Sequence, residues 1–488
     1  MNPDYPGLGR ALLPEAALVV GALAVLGLDL AAFRRVSAAG RLRRASAAAA
    51  IVVVAAALLV LRIGVAGSIF GGVIMLDRLA LAARLGTLGL SLLMLGFGTG
   101  ARIPRHPAEY VAIILFATAG FTLMSAAQQL LLMFLALETA SLSLYILAGF
   151  EFWRPESAEA ALKYFLFGSI STAFLLFGFS LIYGLTGAID LPRISAAISP
   201  IGFSPALSVS LVMIMVSFGF KTATAPFHFW APDAYEGAPA ISAGLIASGS
   251  KLAAFVFFLR LFWSGLGGAA GTVAVWHRGP GWLPVMAVLS GAALLLGNFA
   301  ALAQTNLRRL LAYSAIAHAG ALLLGVMAAG DSGPGPVFYY AATYGIAVAG
   351  AFGVVAILEG GGRCDKLEDL AGLHRRSPLL AGCLLIFILS LAGIPPLAGF
   401  VGKFAVFVAA LQLGGLTGPA GCLTLLAILL SVVGLYYYLL ILKQAMVEPP
   451  PEGAGRIGVP PASALALLAA AGMLIGFGLF PSLLLDLF

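Results

Sequence analysis

Long apolar runs separated by short polar segments repeat along the whole chain. A helix crosses the hydrocarbon of a bilayer with roughly 20 apolar residues. Fourteen runs of that kind are centred near residues 22, 54, 88, 118, 138, 171, 217, 251, 293, 319, 348, 389, 430 and 473. They are continuous, unlike the alternating segments of about ten residues that build a membrane barrel. Almost every run contains Gly, Ala, Ser or Thr, which let helices approach closely in lipid. The pattern predicts an all-α polytopic membrane protein with about fourteen transmembrane helices.

Two of these runs carry breaks. In Lys221-Thr222-Ala223-Thr224-Ala225-Pro226-Phe227-His228, the proline lacks a backbone donor and clashes with the preceding turn, so the helix must kink or unwind. The second break is Gly393-Ile394-Pro395-Pro396, followed by Gly399, Gly402 and Lys403. Non-helical backbone at membrane depth is tolerated only against protein or a wetted cavity. Each break therefore predicts internal water, and paired broken helices point to an ion pathway.

Composition sharpens this picture. The 488 residues are 61% hydrophobic and 10% charged, with a mean hydropathy of +1.05, far from the soluble balance of about 25% charged residues. Asp4 and Glu15 precede the first run, and Arg34, Arg35, Arg41, Arg43 and Arg44 follow it. That is a stop-transfer arrangement and not a cleaved signal, so the mature chain is expected to start near Met1. With the N-terminus outside, sixteen Lys and Arg fall in inside loops and six outside, among them Arg193, Arg260 and Arg278. The positive-inside rule then favours both termini on the outside. The net charge of +7 reflects this bias and gives no reason to invoke nucleic acid. Cys364, Cys383 and Cys422 show no ligand spacing, so neither a metal site nor a disulfide framework is expected.

The choice of cation is informative. The chain has 21 Arg and 6 Lys, yet its apolar runs hold Lys163, Lys221, Lys251 and Lys403 against Arg84 alone. Arginine stays protonated, whereas a desolvated lysine can release and regain its proton near neutral pH. Ionisable groups at membrane depth are costly and mark transporters and pumps. Glu138 sits mid-run in Leu135-Ala136-Leu137-Glu138-Thr139-Ala140 and must be neutral or paired. Lys221 is its expected partner. Lys251 follows Ser248-Gly249-Ser250, and Lys403 is placed inside because apolar residues continue from Phe404 to Leu413. Lys163 lies near the start of its run, where it can snorkel instead. His228 and His318 complete the row, because a neutral imidazole donates and accepts at once. Asp233 and Glu236, in Pro232-Asp233-Ala234-Tyr235-Glu236-Gly237, are expected in a solvated turn.

A weak internal repeat runs through the chain. Residues 161 to 178 and 337 to 354 share a rhythm of small and aromatic residues at an offset of 176, with Tyr164 opposite Tyr340 and Lys163 opposite Tyr339. Nothing in the sequence resembles a nucleotide loop, a haem site or an iron–sulfur cysteine cluster. The energy for ion movement must come from a gradient or from a partner protein.

The strings ALKYFLFGSISTAFLLFGFSLIYG, FGFKTATAPFHFWAPDAYEGAP, RRLLAYSAIAHAG and GIPPLAGFVGKF together resemble the antiporter-like membrane subunits of the proton-pumping NADH:quinone oxidoreductase, respiratory complex I. The likeness runs from about residue 70 to 445 and is greatest for subunit N, since subunit M typically has glutamate where Lys403 stands. It implies spans one to three in 1–105 and two inverted five-helix repeats, spans four to eight in 106–265 and nine to thirteen in 280–445. The last span would lie in 458–488. Each repeat would contain a broken helix. Glu138 would tune Lys221, Lys251 and His318 would continue a hydrophilic axis, Lys403 would stand at its exit branch, and Lys163 would match a sixth-span lysine.

The resemblance also implies neighbouring antiporter-like subunits as partners, and hydrophilic partners that carry FMN and iron–sulfur clusters and bind quinone, with no cofactor in this chain. Two rival readings remain at this stage. One is a sodium/proton antiporter subunit, or a subunit of a ferredoxin- or hydrogenase-linked complex. The other is a passive scaffold whose buried charges only fix helix register.

Overall fold

The computed structural model describes residues 4–33, 36–102, 104–276, 279–362 and 364–488. Arg34, Arg35, Arg278, Arg363 and Met1, which enter the sequence argument, lie outside the described residues.

Among the described residues, thirteen helices are long and apolar enough to cross a membrane. They are α1 Leu13–Phe33, α2 Ala38–Ile63, α3 Arg78–Gly98, α4 Pro107–Ala126, α5 Leu130–Ala148, α6 Pro155–Thr186, α7 Pro205–Thr222, α9 Ala240–Gly265, α10 Trp282–Leu302, α11 Leu307–Ser332, α12 Gly335–Gly360, α15 Pro419–Met446 and α16 Pro461–Leu479. The short helix α8, Trp230–Gly237, follows α7. The passage expected near residue 389 is made of two pieces, α13 Pro378–Ala392 and α14 Ala398–Gln412. Thirteen long helices and this divided one account for the fourteen expected spans. A small antiparallel hairpin, Gly67–Ile69 with Ile74–Leu76, is the one strand pair among the described residues and joins α2 to α3.

Burial sorts the helices into layers. The apolar windows of α9 and α12 are wholly buried and that of α11 is 94% buried, whereas those of α1, α2 and α16 are 28% buried and face outward. In lipid, helices associate through close packing and hydrogen bonds and not through hydrophobic transfer. Gly120 on α4 and Gly297 on α10 show the device: a Cβ on either would stand 2.5 Å from the backbone nitrogen of Ala140 or Ala317 on the next helix.

Both breaks form where the prolines predict them. Helix α7 ends at Thr222, with Ala223 left-handed at φ 57°, and α13 ends at Ala392, with Gly393 at φ 84°. The Thr224 N–H donates to the Gly219 carbonyl at 2.8 Å, and the Phe227 N–H to the Thr224 carbonyl at 2.7 Å. At positions 170 residues on, Ile394 donates to Leu389 at 3.0 Å and Leu397 to Ile394 at 3.1 Å. A second matching pair precedes the central helices. Leu130 donates to the Ile189 carbonyl and Leu191 to that of Gln128; Leu307 donates to Asp365 and Leu367 to Thr305.

Several charges sit deeper than loop positions suggest. Arg84 is buried against Glu15 at 2.6 Å and the Ala11 carbonyl at 2.9 Å. Arg260 and Arg308, which the charge count treats as loop residues, are also buried. Arg260 meets Asp77 and the Ser125 carbonyl. Arg308 meets Glu359 and donates to the Ala238 carbonyl at 2.9 Å. A buried guanidinium survives only with such partners.

Candidate functional site

Helix α5 carries Glu138 at its centre and Ser141 one turn later. Lys221, in the last turn of α7, is 4% exposed, and its Nζ donates to Ser141 Oγ at 2.6 Å. Glu138 instead accepts from Thr172 Oγ1 on α6 at 2.6 Å. The expected direct pair of Glu138 with Lys221 is therefore replaced, among the described residues, by contacts one helical turn apart. The side chains flanking Glu138 explain its position: Leu131, Leu135, Leu142 and Ile146 make an outward apolar stripe on α5, and the half-buried carboxylate stands beside it. Tyr145 completes this end, its ring 6.0 Å from the Lys221 amine.

The break after α7 is closed by protein donors. Trp230 Nε1 donates to the Phe220 carbonyl at 2.9 Å, and its ring stacks on Tyr164 at 4.2 Å. At the second break Lys403, from the first turns of α14, donates to the Ala392 carbonyl at 3.0 Å. Those two carbonyls are thus met by an indole and an amine. Both lysines stand at the C-terminal end of a half-helix, Lys221 within its own last turn and Lys403 reaching across to another. The unsatisfied carbonyls of a helix C-terminus favour a cation. In sequence Lys221 precedes its break and Lys403 follows its own, yet in space both stand at such an end.

Lys251 begins a regular stretch of α9 directly after the π-helical turn Ile246–Ser250. It is 2% exposed and donates to the Ala315 carbonyl on α11 at 2.7 Å. The Tyr344 ring lies 5.7 Å from this amine, and the His318 ring also packs against Tyr344, with centroids 4.8 Å apart. His318 Nδ1 is 2.7 Å from the Tyr340 hydroxyl and Nε2 is 2.9 Å from that of Tyr438. Tyr438 also bonds Ser314. His318, Tyr340, Tyr438 and Lys403 line one cavity of about 20 Å³, room for about one water. No hydrogen bond joins Lys221 to Lys251 among the described residues.

The remaining candidates lie elsewhere. Lys163 donates to Asp233 at 2.6 Å and pairs with Glu159 at 2.6 Å, its side chain 38% exposed. Asp233 and Glu236 are not in a solvated turn: they lie on α8, where Arg309 meets them at 2.7 and 2.9 Å and Asn306 donates to Glu236 at 2.8 Å. His228 is buried in the first break with its Nδ1 unpartnered, and no hydrogen bond joins it to a lysine among the described residues. Ser141, Thr172, Tyr340, Tyr344 and Tyr438 were not singled out by sequence for the site. Only Tyr340 carried a signal, through the internal repeat.

Known proteins share this chain's family sequence and its fold. A profile of the family described as "NADH:quinone oxidoreductase/Mrp antiporter, TM" matches residues 127–431. The chain is 47% identical to NADH-quinone oxidoreductase subunit N 2 of Acidobacterium capsulatum, covering 99% of both chains. It is 38% identical to subunit N 1 of Roseiflexus castenholzii, covering 86% of this chain and 80% of that one. Among solved structures, a chain of respiratory complex I from Thermus thermophilus is 32% identical with a TM-score of 0.79, covering 97% of this chain and 99% of that one. A chain of the Mrp complex from Dietzia has the same TM-score of 0.79 at 23% identity, covering 98% and 96%, and shares the fold. Sequence profile, relatives and fold converge: the chain belongs to the NADH:quinone oxidoreductase/Mrp antiporter family of membrane subunits, in the branch of subunit N of the NADH-quinone oxidoreductases.

Proposed function

We propose that this chain is a proton-translocating membrane subunit of a respiratory NADH:quinone oxidoreductase, and that Lys221, Lys251 and Lys403 are the proton-exchanging groups. The observation that carries the reading is the buried polar line from Lys251 past Tyr344 to His318, its two tyrosines and the Lys403 cavity. A neutral imidazole has one donor and one acceptor nitrogen. With a tyrosine hydroxyl on each, His318 can take a proton on one face and release it on the other, reversing both hydrogen bonds as it does so. The buried Tyr344 hydroxyl has no partner among the described residues, which suits a water in the same line.

Glu138 belongs to the drive and not to the line. Its place beside an outward apolar stripe sets its charge against the neighbouring antiporter-like subunit, while Ser141, one turn away, holds the Lys221 amine. A change of charge or position at Glu138 thus reaches Lys221 through a single turn of α5. Quinone reduction takes place on partner subunits, which carry the FMN and iron–sulfur clusters. The recurrence of the same hydrogen bonds at offsets of 170 and of 176 to 177 residues supports two inverted repeats, 106–265 and 280–445. The charge bias supports both termini on the periplasmic face.

Lys221→Met in the intact complex is the test. Proton uptake by proteoliposomes during NADH oxidation should lose the share carried by this chain, with assembly intact. Full pumping by the variant would sink the reading.

A further inference from the structure

A cleft of about 750 Å³ opens at the face where α2 and α16 begin and α3 and α12 end. Its lining includes Arg43, Arg102, Arg376 and Arg456, opposed by Asp369 alone among the acidic residues. Arg102 is near Glu151 at 3.6 Å, whereas Arg43 and Arg456 have no ion-pair partner among the described residues. Arg376 donates through Nη1 to the Asp369 carbonyl at 3.1 Å, but its Nε is buried without a partner. A buried guanidinium N–H left unmade is expensive. The chamber has a surplus of positive charge and a donor awaiting an acceptor.

A second cavity of about 460 Å³ adjoins it, sharing Arg43, Thr99 and Pro460. It runs along α2, α3 and α16, and apart from Arg43, Ser46 and Thr99 its walls are small or apolar, including Ala47, Leu92 and Ala462. Ser463 on α16 bonds Thr99 Oγ1 at 2.9 Å and the Gly96 carbonyl at 3.0 Å, which holds α16 to α3 and fixes the groove's floor. An arginine chamber at a helix end, continuous with an apolar trough along the helices, matches the two halves of a charged lipid. Basic pockets between membrane helices bind anionic headgroups.

We propose that this cleft is a specific site for an anionic phospholipid, its phosphate among Arg43, Arg376 and Arg456 and one acyl chain in the groove between α2, α3 and α16. The site is independent of the lysine axis. A free phosphate would use the chamber and ignore the trough. A helix of a neighbouring subunit would fill the trough but leave the arginine surplus unopposed unless it brought carboxylates.

The test is native mass spectrometry of the full chain, from complex reconstituted in phosphatidylglycerol mixed with phosphatidylcholine. One phosphatidylglycerol per chain should be retained in preference to phosphatidylcholine. Arg43→Glu with Arg456→Glu should lower that occupancy at least about tenfold, the loss expected for two headgroup contacts. The paired lysine replacements should keep it, and Ala47→Trp, which fills the trough, should lower it. Equal retention of both lipids, or occupancy unchanged by the glutamate pair and by Ala47→Trp, overturns the proposal. So does displacement by inorganic phosphate with Ala47→Trp harmless, or efficient cross-linking of Arg456→Cys to a neighbouring subunit.

Discussion

Ser141 accepts a hydrogen bond from the Lys221 amine at 2.6 Å, one helical turn beyond Glu138 on the same helix. The serine hydroxyl in turn donates to the Leu137 carbonyl at 2.5 Å. A hydroxyl has one proton to give and lone pairs to receive, so Ser141 can accept from the lysine while it donates to its own helix. Glu138 is bonded to Thr172 and makes no hydrogen bond to the amine among the described residues; in the function proposed above it acts on that amine through space.

Ser141→Ala removes the acceptor from a buried amine, a penalty of about 1–3 kcal/mol. Coupled proton pumping should fall several-fold, while Ser141→Thr, which restores the hydroxyl, should recover most of it. The measurement is acidification of proteoliposomes per NADH oxidised. Wild-type pumping by the alanine variant would remove Ser141 from the site.

Glu138→Gln separates charge from shape. The amide oxygen can still accept from Thr172, so the packing between α5 and α6 should survive and the complex should assemble. Pumping should nevertheless drop nearly as far as in Lys221→Met, because only the negative charge is gone. An unaltered rate would make the carboxylate a packing residue.

At His318 the two tyrosines divide the work. Losing one neutral hydrogen bond costs about 0.5–1.5 kcal/mol, so Tyr340→Phe or Tyr438→Phe alone should slow pumping by roughly two- to tenfold. The double replacement leaves the ring with no tyrosine hydroxyl partner and should approach His318→Ala. Proton pumping rates of wild type, the two single replacements and the double form a cycle, and strict additivity at low cost would argue against a relay through the imidazole.

Gly393→Ala tests the second break. The residue is left-handed, and an added Cβ would lie 3.0 Å from Lys403 Cδ and 3.3 Å from Nζ. The backbone costs roughly 1–2 kcal/mol, and the Lys403 side chain must shift by a few tenths of an ångström as well. The equivalent residue of the first break is Ala223, also left-handed. Ala223→Gly should therefore relieve strain there, raising thermal stability in detergent, where Gly393→Ala lowers both stability and pumping.

Local chemistry made much of this protein legible before its structure. Span positions follow from hydropathy, the two breaks from Pro226 and from Pro395 with Pro396, and the buried amines from lysines in apolar runs. What escaped depends on packing between distant helices. A serine or tyrosine inside an apolar run gives no local sign of its partner, so Ser141 and Tyr438 were indistinguishable from ordinary span residues. Asp233 and Glu236 misled because their turn-rich string is equally a short helix once Arg309, Lys163 and Asn306 supply partners. Arg84 was visible as an anomaly, but Glu15, 69 residues earlier, could not be named as its mate.

Asp233 offers the contrast that separates axis from scaffold. It joins Lys163 on α6 to Arg309 on α11, both in partly exposed ion pairs. Exposed pairs contribute about 0–1 kcal/mol and weaken with salt. Lys163→Gln should then reduce pumping much less than Lys221→Met. Asp233→Asn breaks both pairs at once, leaves Arg309 with Glu236, and should lower the thermal stability of the detergent-solubilised complex, the difference from wild type shrinking as salt rises. Pumping lost in Lys163→Gln as fully as in Lys221→Met, at any salt concentration, would place Lys163 on the proton path.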